Sequence, residues 1–314
     1  MEKLFFSALA CILLVIMPAR INAEEGVKTS TNLELQLSTA IEAKLVLSQG
    51  FTFPFLQGGG PLTKDNNITT VLSAEVTPVT LSGLGEVNWT PAAFFVLSGG
   101  GRAGSGWSLP IAEGIGINRP LGEDAPRKAE IDGSAFDGLV WGAWGAGTLQ
   151  FDLGALFPGD WTHVLFQTRQ EFHYSAYTRA EAGEPWTFEN DDAENMNGWV
   201  YFARYVLAYS MPLSPVLDTV ALMAELEKPL YRTAGGDFWG QSLGYWIFSS
   251  LFNFSITPRF STALALQMHT RRNHGSSHFE NNDYFYQDFE IKKAEGQRRL
   301  LFYRAALIFN YKIR

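Results

Sequence analysis

Residues 301–313 constrain this chain more than any other stretch. Every second residue is apolar (Leu301, Tyr303, Ala305, Leu307, Phe309, Tyr311, Ile313), while the interleaved row holds Arg304, Asn310 and Lys312. A period of two puts the rows on opposite faces of one extended strand. The chain as given stops at Arg314, so this strand is expected to pair with an earlier segment, because an open edge is a row of unsatisfied donors and acceptors. Closing a sheet on itself removes the edge. Within a bilayer, closure is the only way a sheet can satisfy its backbone.

Composition allows that outcome. Trp 9, Tyr 11 and Phe 24 make a 314-residue chain rich in the aromatics that favour strands. The formal net charge of −8 argues against a nucleic-acid role, which needs a basic face. Residues 1–23 read as a secretory signal peptide, with Lys3 ahead of an apolar run over residues 4–17 and small residues before Glu24. Without Glu2, Lys3 and Arg20 the net charge becomes −9. The single cysteine, Cys11, lies in this leader, so residues 24–314 hold no thiol. After the leader no apolar run reaches the roughly 20 residues of a membrane helix.

Alternation continues along the chain. Residues 31–48 form one long strand or two joined near Thr39, and residues 51–56 extend it. Residues 57–67 make a loop, 68–76 and 79–89 are strands, Thr90-Pro91 is a turn or bend, and 93–103 is a glycine-softened strand. Residues 104–138 lack periodicity and read as the longest loop. Strands then follow at 139–156, 163–177, 199–211, 217–229, 242–256 and 260–272, and their connections alternate short and long. Hairpins wired this way imply an even count of about 10 or 12 strands. Residues 24–30 leave too little chain for an N-terminal plug.

With this closing strand and loop rhythm, the chain resembles bacterial outer-membrane β-barrel proteins of porin-like type. Their last strand alternates hydrophobes and ends on an aromatic residue, whereas here the row ends at Ile313, followed by Arg314. The resemblance implies an all-β, antiparallel up-and-down transmembrane barrel over residues 24–314, exported to the outer membrane of a diderm bacterium. Its partners would be outer-membrane lipid, the barrel-assembly machinery and small solutes.

If the apolar rows meet lipid, the opposite rows line the lumen. Those rows hold Glu42, Lys44, Glu86, Asp152, His163, Arg169, Glu171, His173, Arg204, Glu225, Glu227, His269, Arg271 and Arg304. Glu86, Arg169, Glu171, Arg204, Glu225 and Arg304 are the candidate pore-lining residues. Arg169 and Glu171, two apart on one face, are expected to pair along the strand or to reach Arg204, Glu225 or Arg304, forming a polar ring. Catalysis is not expected, because His163 and His173 lie about 30 Å apart along one strand. His274 and His278 read as loop residues, and neither metal nor cofactor is called for. Trp107, Trp141, Trp144, Trp161, Trp186, Trp199, Trp239 and Trp246 read mostly as interfacial girdles, and the glycine-rich run 99–106 as a flexible strand end.

The expected function is a passive channel for small polar solutes. One alternative is a closed barrel whose external loops, above all 104–138 and 178–197, bind a partner. A second is a carrier of hydrophobic solutes such as fatty acids.

Overall fold

A computed structural model describes residues 26–40, 42–120, 129–189, 195–211, 216–231, 244–272 and 298–314. Residues 1–25, expected to hold the signal peptide, and Trp239, His274 and His278 lie outside them. The strands, in chain order, are β1 (Lys28–Ser38), β2 (Ala43–Pro54), β3 (Asn67–Val76), β4 (Thr80–Ala92), β5 (Phe95–Gly106), β6 (Ile115–Pro120), β7 (Ala129–Asp132), β8 (Val140–Asp152), β9 (Val164–Tyr177), β10 (Trp186–Phe188), β11 (Gly198–Ser210), β12 (Leu217–Pro229), β13 (Tyr245–Thr257), β14 (Phe260–Arg272) and β15 (Arg298–Lys312). Twelve of them close into one barrel, and β10, β6 and β7 form a separate three-stranded sheet in that order.

The last strand pairs with the first, from Asn32 opposite Lys312 to Ser38 opposite Ala306. The seam continues past the strand end, where the Ile313 amide donates to the Thr31 carbonyl at 2.8 Å. Residues 31–48 are two strands. Their turn is fastened by the Ser38 hydroxyl, which donates to the Glu42 carboxylate at 2.8 Å and accepts from the Ala40 amide. Thr90-Pro91 makes no turn. β4 runs on to Ala92 with a register shift against β5 after Trp89, and the chain reverses at Ala93 and Phe94.

The pairings sort the side chains into two faces. Leu35, Leu45, Leu72, Leu149, Leu207, Leu222, Leu266 and Leu307 share the outer face, each at least 36% exposed. Aromatics gather at both ends of that face. Trp141, Tyr174 and Trp199 touch in series at centroid distances of 5.4 and 5.6 Å near the long loops. Phe55 meets Trp89 and Phe260 stacks on Phe309 near the short turns. Two of the tryptophans assigned to girdles are elsewhere. Trp144 points inward and donates to Glu86 at 3.1 Å, and Trp186 is buried in the small sheet.

The closing strand departs from its sequence pattern at one point. Arg304 sits opposite Gln267 and Phe302 opposite Met268, so Tyr303 is an extra residue in the ladder. Such a bulge shifts the phase of everything beyond it. Residues 305–313 keep their apolar row toward the outside. Beyond the bulge, Leu300 and Phe302 face outward, and Leu301 comes to lie opposite the inward His269. The seven-residue row is therefore not one face.

The larger correction concerns residues 104–138 and 178–197, which are not plain loops. β5 runs to Gly106, and the small sheet formed by β6, β7 and β10 carries the tightest packing among the described residues. Ile115 and Ile117 are fully buried and pack with Trp186 and Phe188 on Val140 and Tyr177. Val140 and Tyr177 are cross-strand partners on the inner face of β8 and β9 at the long-loop end, so the small sheet is seated against the inside of that mouth. Asn197 ties it down: its Oδ1 accepts from the Tyr177 amide at 2.7 Å and from Trp186 Nε1 at 3.1 Å.

Adjacent positions on β12 test the sorting. Leu222→Arg places a charge on the hydrocarbon face and should cost about 2 to 4 kcal/mol near the midplane, whereas inward-facing Met223→Arg should fold nearly as well as the parent. Equilibrium urea unfolding in lipid vesicles reads the difference.

Candidate pore lining

Strand parity carries each candidate residue to the inner wall, and the ladder decides which of them meet. On β9, Arg169 and Glu171 are two residues apart and therefore on one face. Arg169 Nε donates to Glu171 Oε2 at 2.9 Å, and its far nitrogen reaches Glu86 on β4 at 3.3 Å. Glu86 also accepts from Trp144 on β8 and from Asn88 at 2.8 Å. Ser98 on β5 accepts from Arg169 at 3.4 Å, and His173 Nδ1 lies 3.4 Å from Glu171. Groups from three strands, β4, β5 and β9, thus converge on one guanidinium, and Trp144 on β8 supports it through Glu86.

Arg204 on β11 sits directly opposite Arg169 in the ladder. Like charges at opposed positions repel, and the two turn away from each other. Arg204 bonds Glu225 on β12 at 2.8 Å through both Nε and a terminal nitrogen, with its guanidinium carbon 5.5 Å from the centre of the Phe202 ring. Arg304 joins neither group. Its Nε donates to Gln267 at 2.6 Å and a terminal nitrogen pairs with Glu42 across the β1–β15 seam. Gln267 in turn donates to Ser249 at 2.9 Å. The bulge turns Tyr303 onto this face, where it stacks on His269 at 4.5 Å and lies under the Arg304 guanidinium at 4.5 Å. Tyr245 and His269 Nδ1 are 2.6 Å apart.

All six candidates face the barrel interior, but as three separate clusters and not as one ring. Each arginine has a carboxylate within reach, and removing one member would leave its partner's charge uncompensated in a confined space. The side chains remain wet: Arg204 is 40% exposed, Arg304 27% and Arg169 17%. At the short-turn mouth a recess of about 590 Å³ is lined by inward polar residues including Asn32, Ser255, Ser261, Asn310 and Lys312. His163 and His173 do not share a site. His163 pairs with Asp152 at 2.9 Å at the short-turn end, while His173 belongs to the Arg169 cluster.

A fourth ionic cluster was not anticipated from the sequence. Glu189, directly after β10, reaches Lys44 on β2 at 2.7 Å and Arg102 on β5 at 2.9 Å. Lys44 also faces Glu75 on β3 at 3.7 Å. Arg102 sits in the glycine-rich run 99–106, whose parity is readable, but a carboxylate arriving from a loop has no sequence signal. Burial on its own would raise the Glu189 pKa. The charges of Lys44 and Arg102, with the hydrogen bonds they donate, outweigh burial and hold the carboxyl below its ordinary value.

No family model and no curated protein matches the chain. Among solved structures it is similar to the KdgM porin (7% identity, 91% of this chain and 99% of that one, TM-score 0.39). The beta domain of the Bordetella autotransporter BrkA (12%, 91% and 98%, 0.39) and the anion-selective porin from Comamonas acidovorans (8%, 92% and 100%, 0.30) are further examples. The closed ladder, the apolar exterior and the aromatics at both of its ends give this chain the architecture of a transmembrane β-barrel.

Arg304→Ala would strip Glu42 of its cation at the seam. Because both groups are partly exposed, the expected loss is only about 1 kcal/mol. It should appear as a lower temperature for the transition from folded to unfolded gel mobility, and Arg304→Lys should recover most of it.

Proposed function

We propose that the protein is a passive outer-membrane channel for small polar solutes. The route runs along the charged inner wall and is narrowed at the long-loop mouth by the small sheet. One observation carries the reading: partly exposed, ion-paired residues on eight of the twelve strands face inward, while the outer row is apolar. Charged residues held wet by neighbours of opposite sign suit a water-filled lumen of mixed polarity, and the field there favours hydrated solutes over greasy ones. A hydrophobic-solute carrier fits less well, since the described ladder is hydrogen-bonded all the way round and leaves no lateral gap. Catalysis does not enter this reading.

The small sheet also favours a second reading, a barrel whose mouth is occupied and whose surface loops bind a partner. Planar-bilayer recordings of the refolded chain separate the two: discrete conductance steps support the channel, and silence supports the binding barrel. Within the channel reading, replacing Arg169 and Arg204 together by Ala removes two lumen cations and exposes the charges of Glu86, Glu171 and Glu225. The cation-to-anion permeability ratio should then rise several-fold, and an unchanged ratio would remove these residues from ion preference.

A further inference from the structure

The small sheet is held to the wall by apolar contacts and ion pairs, besides the hydrogen bonds of Asn197. Ile115, Ile117, Trp186 and Phe188 supply the apolar contacts against Val140 and Tyr177. Ion pairs to the wall go through Glu189. Glu189 follows β10 immediately and adopts φ +62°, in the left-handed region that disfavours residues with a Cβ. Its amide donates to the Gly114 carbonyl at 3.1 Å, which ties the two loop segments together.

From that position the carboxylate spans strands that are not neighbours. Lys44 is on β2 and Arg102 on β5, with β3 and β4 between them. Arg102 is further held by Ser82 on β4 at 3.4 Å and lies 5.2 Å from the centre of the Phe188 ring. A side chain at Gly104 would run into that same ring, its Cβ 3.0 Å from the nearest Phe188 atom. Among the described residues the charged groups facing Glu189 are thus Lys44 and Arg102, with Ser82 bonded to Arg102 and Glu75 behind Lys44 at 3.7 Å. If Glu189 loses its charge, Lys44 keeps Glu75, but among the described residues Arg102 is left with no carboxylate.

We infer that the small sheet is a gate latched against the barrel wall by Glu189, and that acid opens it by protonating this one carboxylate. The inference rests on the channel reading and gives it a form of regulation. The direction follows from linkage. Glu189 titrates below its ordinary value of 4.5 when latched, so the latch has its full strength above that value. It weakens as pH falls through the lower, latched value. The gate therefore stays latched, with the route narrowed, at neutral pH and swings open only in distinctly acid medium.

The test uses the refolded full chain, its barrel verified by heat-modifiable gel mobility. Wild-type conductance should stay flat from pH 7 to about 5 and rise several-fold below 4.5. Glu189→Gln should show the acid conductance already at pH 7 and lose the pH response, and Lys44→Gln combined with Arg102→Gln should do the same. Hydrogen exchange gives a readout independent of conduction. The amides of Ile117 and Phe188 should exchange roughly tenfold faster in Glu189→Gln, while β13 amides stay unchanged. Unchanged exchange overturns the latch. Faster exchange with an unaltered conductance–pH curve overturns the gate. Silence of every variant at every pH defeats the channel reading beneath it.

Discussion

The seam between β1 and β15 is the constraint from which the rest of the structure follows. A sheet surrounded by hydrocarbon has no water to satisfy an open backbone donor, so the first and last strands must find each other for either to be stable in lipid. The ladder from Asn32–Lys312 to Ser38–Ala306 does this, and side chains reinforce it from the lumen side. Arg304 reaches Glu42 across the seam, and the Ala305 amide donates to the Thr39 hydroxyl at 3.0 Å. Once the edges are joined, every strand has a fixed inside and outside, and one residue of slippage anywhere would exchange them.

That fixed parity places the charges. Arg169 and Arg204 stand opposite each other in the ladder, an arrangement that would be costly alone, yet Arg169 is drawn toward Glu171 and Glu86 and Arg204 toward Glu225 on the next strand. The result is a wall that is strongly charged locally and mixed in sign overall. The long-loop mouth follows a different logic. There the chain builds a small conventional core from Ile115, Ile117, Trp186 and Phe188, burying it against Val140 and Tyr177 at a level where the barrel wall still faces inward. The barrel therefore has two kinds of interior, a wet charged wall and a dry apolar cap, and Glu189 is where the second touches the first.

How much of this the sequence discloses depends on how local its cause is. The twelve barrel strands and the inward direction of the six candidate residues follow from a two-residue period, which a strand cannot escape. The split of residues 31–48 into two strands was one of two readings, and only Ser38 bonding to Glu42 decides it. The small sheet was hidden because its alternation is brief, Ile115 and Ile117 in β6 and Trp186 and Phe188 in β10, and because the surface burying them comes from distant strands. The bulge at Tyr303 was hidden for the opposite reason. An uninterrupted apolar row continues through it, so nothing in the pattern marks the phase change. Trp144 looked like a girdle residue by type, and only the position of Glu86 across two strands shows why an indole belongs inside. Arg102 was overlooked among glycines, although its parity matches that of Ser98 and Gly104.

The central claim is that water, and not packed side chain, meets the inner face of these strands at mid-depth. Single cysteines placed one at a time along residues 203–208, in a Cys11→Ser background, test it with a membrane-impermeant thiol reagent applied to the barrel in vesicles. Positions 204, 206 and 208 should react while 203, 205 and 207 stay protected by lipid. Protection at all six positions, or reaction at the odd set alone, would contradict the account.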